Sequence, residues 1–121
     1  MKFNPKLKQD ILKYMDYVII VEGKKDIAAM HHLGFERVHA IHTGVPIRER
    51  IMEIASDLGK KEKVCILTDF DKKGKQIYLL LKKEFSEIGV RLDNTLRGLL
   101  LKAGVSHIEG LDEFMKKLER V

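Results

Sequence analysis

Apolar residues in this chain fall into short unbroken runs, separated by stretches in which they recur every three or four positions. Tyr17–Val21 (YVIIV) and Val64–Thr68 (VCILT) are runs of the first kind, the pattern of strands buried on both faces. Val38–His42 predicts a further strand. Between these runs the spacing is helical. Asn4-Pro5 reads as an N-cap and first-turn proline ahead of Leu7, Ile11, Leu12 and Met15. Asp26–Leu33 reads as a helix stopped by Gly34. Pro46 opens a helix with Ile47, Ile51, Ile54, Ala55 and Leu58 on one side and Gly59 at its end. Ile77, Leu80, Leu81, Phe85 and Ile88 mark a longer helix ending at Gly89. Val90–Leu92 predicts a short strand, and Asp93 a cap for a helix carrying Leu96, Leu99 and Leu100. Leu111, Phe114, Met115 and Leu118 predict a last helix.

Strands alternating with helices of this length imply βαβ units, hence an α/β fold with a mostly parallel sheet of about four strands flanked by helices. The expected organisation is a single domain over 1–121. It has an N-terminal helix (1–16), a core (17–92) and a C-terminal helical segment (93–121). No internal repeat or Gly/Ser linker divides it. In open sheets of this class ligands bind beyond the carboxyl ends of the strands, so function is expected just after Val21, His42 and Thr68.

Composition narrows the setting. The 121 residues fit one domain, and 45% hydrophobic with 34% charged residues gives a core under a charged surface rather than disorder. The net charge of +5 favours an anionic partner such as nucleic acid, although Lys also serves as a plain solubilising residue. One cysteine, Cys65, excludes an intrachain disulfide and a Cys-based zinc site, and its place in a strand suits a small buried hydrophobe. No stretch reaches the roughly 20 apolar residues of a membrane span, and Met1–Asp10 is too polar for a signal peptide. A soluble, cytoplasmic protein is expected. Many Lys and Glu with two Asn and two Gln lean towards a thermophilic composition.

The chemistry concentrates at the strand ends. Glu22-Gly23-Lys24-Lys25-Asp26 follows the first strand and Asp69-Phe70-Asp71 the third. Residues two apart in extended chain point the same way, so Asp69 and Asp71 can aim together. If the strands are neighbours, Glu22 arrives beside them. Three ionised carboxylates that close stay charged comfortably only around a cation. Mg²⁺ suits such a site, because it takes a few carboxylate oxygens and keeps waters for substrate phosphates to replace. Asp26, in the first turn of a helix, could join through water or simply cap the helix. Gly23 would let the backbone turn sharply towards a ligand, and Gly74 would keep it open or ease a turn. Thr43-Gly44 is a loop at the same level, or a turn with no ligand.

Lys24, Lys25, Lys72, Lys73 and Lys75 stand where helices should begin. Cations there work against the macrodipole, by about 0.3–1 kcal/mol each at exposed sites, and a bound phosphate would reverse that balance. They are therefore candidate phosphate or nucleic-acid contacts. Exposed lysines tolerating a small cost are the alternative. His31, His32, His39, His42 and His107 lack a metal-ligand spacing and read as packing or surface residues, His42 least safely because it ends a strand. Arg91 and Arg97 could bind nucleic acid or lie on a solvated helix face. Three Tyr and five Phe, most on apolar faces, do not support stacking on single-stranded bases.

At these residues the sequence resembles the Toprim domain shared by topoisomerases, bacterial primases, recombination proteins and certain nucleases. YVIIVEGKKDIAAMHHLGF resembles its first motif and VCILTDFDKKGKQIYLLL its DxD motif, over about Tyr17 to Phe85. Within that group the likeness is strongest to the ribonucleases that mature 5S ribosomal RNA and to small stand-alone archaeal Toprim proteins. TDFDKKGKQI is similar to a TDxDxxGxxI pattern, and KAGVSHIEGLDEF is distantly similar to a GVEHA-type segment. The resemblance implies a Toprim, Rossmann-like fold. It implies Glu22 as general acid or base, Mg²⁺ (or Mn²⁺) on Asp69 and Asp71, and metal contact by Asp26 in some members. The expected activity is Mg²⁺-dependent phosphodiester chemistry on nucleic acid, RNA before DNA, as a nuclease on structured RNA. The alternatives are a non-catalytic scaffold module in a processing complex, or a primase- or topoisomerase-like component. The last of these would need a partner chain, and a protein partner could supply substrate specificity in any of these roles. Three features depart from the pattern. Ser106 stands where an acid is expected. There is no zinc-binding region for a complete primase. Tyr14, Tyr17 and Tyr78 read as packing residues rather than nucleophiles.

Overall fold

The computed structural model describes residues 6–119; the expected cap at Asn4-Pro5 lies outside them. Three short strands, β1 (Val18–Val21), β2 (Val38–Ala40) and β3 (Val64–Ile66), form one parallel sheet in the order β2-β1-β3. The expected fourth strand is reduced to an isolated parallel bridge between Leu92 and Val64. Gly89, at a φ of 84° favoured by glycine, turns the chain just before it, and too few residues remain to extend a ladder. The pairing does run past the ends of β2 and β3, since Ile41 and His42 donate to Val21 and Glu22, and Leu67 donates to Ile20.

Helices cover both faces of the sheet. Val18, Ile20, Val64 and Ile66 pack against α3 (Ile47–Ser56) and α4 (Lys72–Glu87). Ile19, Val21, Cys65 and Leu67 pack against the other group: α1 (Leu7–Leu12), α2 (Lys24–His32), α5 (Thr95–Ala103) and α6 (Leu111–Glu119). The period of two along each strand thus feeds two separate cores, which is why the runs read as continuously apolar. Burial pushes the Cys65 thiol up to about 12, as an inert core residue requires.

Topology places the site. The chain leaves β1 for α2 on one face and leaves β3 for α4 on the other. Adjacent strands whose connections depart to opposite faces make a switch point, and the crevice beyond their carboxyl ends is where such sheets bind ligands. Glu22 is the first residue beyond β1, and Asp69 lies three residues beyond β3. Among the described residues no helix is long and apolar enough to cross a membrane.

Candidate metal centre

The two acidic segments meet across the switch point. The Asp69 backbone N–H donates to Glu22 Oε2 at 2.8 Å. Asp69 Oδ1 accepts from the Ile108 N–H at 2.9 Å, and Asp71 Oδ1 accepts from the Gly74 N–H at 2.8 Å as the N-cap of α4. Each carboxylate therefore has one oxygen fixed by a backbone donor and one left over. Fixing one oxygen orients the other without neutralising the charge, which suits a group that must hold a cation.

The turn after β3 is tightly fastened. The buried Thr68 hydroxyl donates to the Gly74 carbonyl at 2.7 Å. A Cβ on Gly74 would overlap the Asp69 carbonyl, so this position requires glycine for close approach. Arg97 completes the clamp. Its guanidinium is buried and donates to the Thr68 carbonyl at 2.7 Å, with longer contacts to the carbonyls of Ile66 and Asp69. It lies between the rings of Phe70 and Tyr78, 4.6 and 4.2 Å from their centroids. Burial lowers its pKa, while Glu22 and Asp69 among its neighbours oppose that. The expectation of a solvated or nucleic-acid-facing Arg97 is thus corrected: carbonyls and two aromatic faces hold it inside the fold. Its sequence signal was its place on the apolar stripe of α5, with Leu96, Leu100 and Ala103.

Asp26 is the third residue of α2 and accepts from the Gly23 N–H at 3.0 Å. Burial raises its pKa most, with the charges of Asp69, Glu22 and Glu109 adding to that, while the Gly23 bond opposes it. The chain bends at Glu22 and Gly23, but the Gly23 φ of −143° is extended backbone that any residue adopts and a Cβ there would meet open space, so the bend does not require glycine. Gly44, at φ 88°, is in an exposed turn. Lys24, Lys25, Lys72, Lys73 and Lys75 are all exposed, on the first turns of α2 and α4. Lys25 lies 3.8 Å from Glu109, an exposed pair of little energetic weight.

A histidine completes the cluster. Asp69, Asp71 and His107 each offer a ligand atom, and these atoms all lie within 4.8 Å of one another. Glu22 and Asp26 stand outside this set. His107 is exposed, as expected of a surface residue, and it lies beside the two acids, which its spacing did not indicate. Sequence spacing missed it because it lies far along the chain. The available signal was its match to the histidine of the GVEHA-type segment. His42 is exposed, and its backbone extends the sheet pairing. The donors present, carboxylate oxygens with one imidazole, fit a divalent cation.

Known proteins resemble this chain in sequence and fold. A family model described as the Toprim domain matches residues 17–100. A UPF0292 protein of Methanocaldococcus jannaschii is 32% identical over 104 residues, covering 82% of this chain and 78% of its own length. One from Thermococcus onnurineus is 33% identical over 104 residues, covering 86% and 75%. A solved structure of a protein from Aquifex aeolicus superimposes with a TM-score of 0.71 at 28% identity, covering 86% of this chain and 94% of that one.

Proposed function

The chain belongs to the Toprim domain family, with UPF0292 proteins as relatives, and on that premise we propose that it is a divalent-metal-dependent nuclease acting on structured RNA. A metal-binding, nucleic-acid-related role follows from the family and the acidic cluster. The reading goes further, to phosphodiester hydrolysis with Mg²⁺ or Mn²⁺. The observation that carries it is the Asp69 N–H bond to Glu22 at the mouth of the Asp69–Asp71 pair. That bond supports reading Glu22 as the proton-accepting carboxylate beside the cation, since a pure phosphate binder would gain nothing from clustered acids.

Asp69 and Asp71 would hold the metal through their uncommitted oxygens. Bound there, it supplies stabilisation of charge on the phosphoryl oxygens. Glu22, anchored through Oε2, keeps Oε1 to accept a proton from the attacking water and return one to the leaving oxygen. Asp26 would act behind Glu22, or share a second metal with it. Lys24, Lys25, Lys72, Lys73 and Lys75 ring this edge and would neutralise backbone phosphates on either side. With Asp71 and His107 exposed and Glu22 and Asp69 half-buried at an open sheet edge, the substrate would be a polymer lying across the surface rather than a small molecule in a cavity.

Replacing Asp69 and Asp71 together with Asn tests the reading. RNA and DNA cleavage is followed with Mg²⁺ and with Mn²⁺. Loss of at least about 100-fold in a folded variant is expected, the scale of removing charge stabilisation from a transition state. Undiminished cleavage would end the proposal. A wild type that binds metal but cleaves no RNA or DNA would instead assign the chain to the scaffold role.

A further inference from the structure

We propose that His107 is a nitrogen ligand of the metal, making the centre a mixed oxygen–nitrogen site that prefers Mn²⁺ to Mg²⁺. The inference rests on the metal-site reading above and deepens it.

The first support is how His107 is held. Phe70 N–H donates to the Ser106 carbonyl at 2.9 Å, and Ile108 N–H donates to Asp69 Oδ1 at 2.9 Å. The residues before and after His107 are thus both bonded to the Asp69–Asp71 turn. Gly104, at φ 88°, ends α5 and directs the chain back to that turn. A surface histidine without a task would not need two backbone bonds placing it over the acids.

The second support is the ring itself. Nε2 faces Asp71 Oδ2 at 3.5 Å, while Nδ1 lies 3.1 Å from Ser106 Oγ. Two donors at about 2.1 Å from a shared ion stand roughly 3–3.5 Å apart, the separation seen here. A ligating histidine almost always has its other ring nitrogen engaged by a neighbour, which fixes the ring and its tautomer. Ser106 supplies that neighbour, and the proposal assigns the ring proton to Nδ1, leaving the Nε2 lone pair towards Asp71. The ring is about half exposed, with its side chain 56% accessible, so an ion and its waters can reach it.

Donor type then sets the preference. Mg²⁺ is a hard ion that takes oxygen and keeps its waters, whereas imidazole suits first-row transition ions. Two carboxylates and one neutral imidazole leave coordination positions for water or phosphate.

The probe is Mn²⁺ alone, added to the full chain. Electron paramagnetic resonance gives its affinity, and electron spin-echo modulation reads directly bound nitrogen. The wild type is expected to show ¹⁴N coupling. His107→Gln is expected to lose that coupling and bind Mn²⁺ about tenfold more weakly, with a smaller change for Mg²⁺ in competition. Mn²⁺ bound by the wild type without nitrogen coupling overturns the His107 assignment and leaves the carboxylate site standing. Coupling that persists in His107→Gln also overturns it, by locating the nitrogen elsewhere. No Mn²⁺ binding by the folded wild type overturns the carboxylate site itself, and His107 with it.

Discussion

The turns that follow β1 and β3 deliver acids to the same sheet edge but are built by different means. After β1 the chain passes through Gly23 in extended conformation, with open space around it, and one side-chain bond, from the Gly23 N–H to Asp26, shapes the turn. After β3 the backbone is fastened at nearly every residue. Thr68 bonds to Gly74, Gly74 to Asp71, Phe70 to Ser106, and Arg97 clamps the Thr68 and Asp69 carbonyls from below. The Glu22 backbone is held by His42 beyond β2, but its carboxylate is held from the β3 side, by the Asp69 N–H. The rigid turn would therefore set the geometry of the whole site. The open turn leaves room for a substrate to approach. This division suits a centre whose ligands must be preorganised while its substrate is large.

Substitutions that sort the two turns should break or sharpen this contrast. Gly74→Ala, which forces a methyl group into the Asp69 carbonyl, should cost about 3 kcal/mol or more in urea unfolding. A value near zero would show that the β3 turn is not close-packed. Arg97→Met keeps most of the side-chain volume but leaves the Thr68 carbonyl without its donor. A loss of about 1–3 kcal/mol is expected, with Mn²⁺ affinity lowered by roughly tenfold or more as the turn loosens. Unchanged affinity at reduced stability would make Arg97 structural only. Gly23→Ala should stay within about 0.5 kcal/mol of wild type. Reduced unfolded-state entropy favours alanine at this extended φ, and the weaker N-cap offsets it.

The smallest effect concerns pH. Asp26, with its pKa raised by burial and neighbouring acids, binds a proton more tightly in the folded protein than in the unfolded chain. Stability contributed there is present at low pH and falls as pH rises from the unfolded towards the folded pKa. Asp26→Asn keeps an oxygen for the Gly23 N–H and removes the charge. The metal-free variant should be more stable than wild type at neutral pH by about 0.5 kcal/mol at most, with a flatter pH profile through the acid range. A loss of stability at neutral pH would contradict this account of Asp26.

How far the sequence carried these results depends on whether the determining interaction was local. The continuous apolar runs identified β1 and β3 because each is buried on both faces. Acids directly behind two such runs placed Glu22 and Asp69 at one sheet edge, which is where the structure has them. The strand count came out too high because Val90–Leu92 has strand composition but only one residue in register with β3. Arg97 was misread, and the placement of surface His107 beside the acids went unseen, for the complementary reason. Each is positioned by contacts 29 to 39 residues away in sequence, Arg97 to Thr68 and the His107 neighbour Ile108 to Asp69. No periodicity or spacing rule reports such contacts. Gly74 was read as open or turn-forming, whereas its need is close approach to a carbonyl five residues earlier.

The central claim is that Asp69 and Asp71 share one divalent ion at this edge. A crystal structure of the full chain grown with Mn²⁺, with data collected at the manganese absorption edge, addresses it most directly. The account predicts an anomalous peak between the two carboxylates and within bonding distance of both. Well-ordered Asp69 and Asp71 with no peak between them, or with the ion bound elsewhere on the chain, would contradict it.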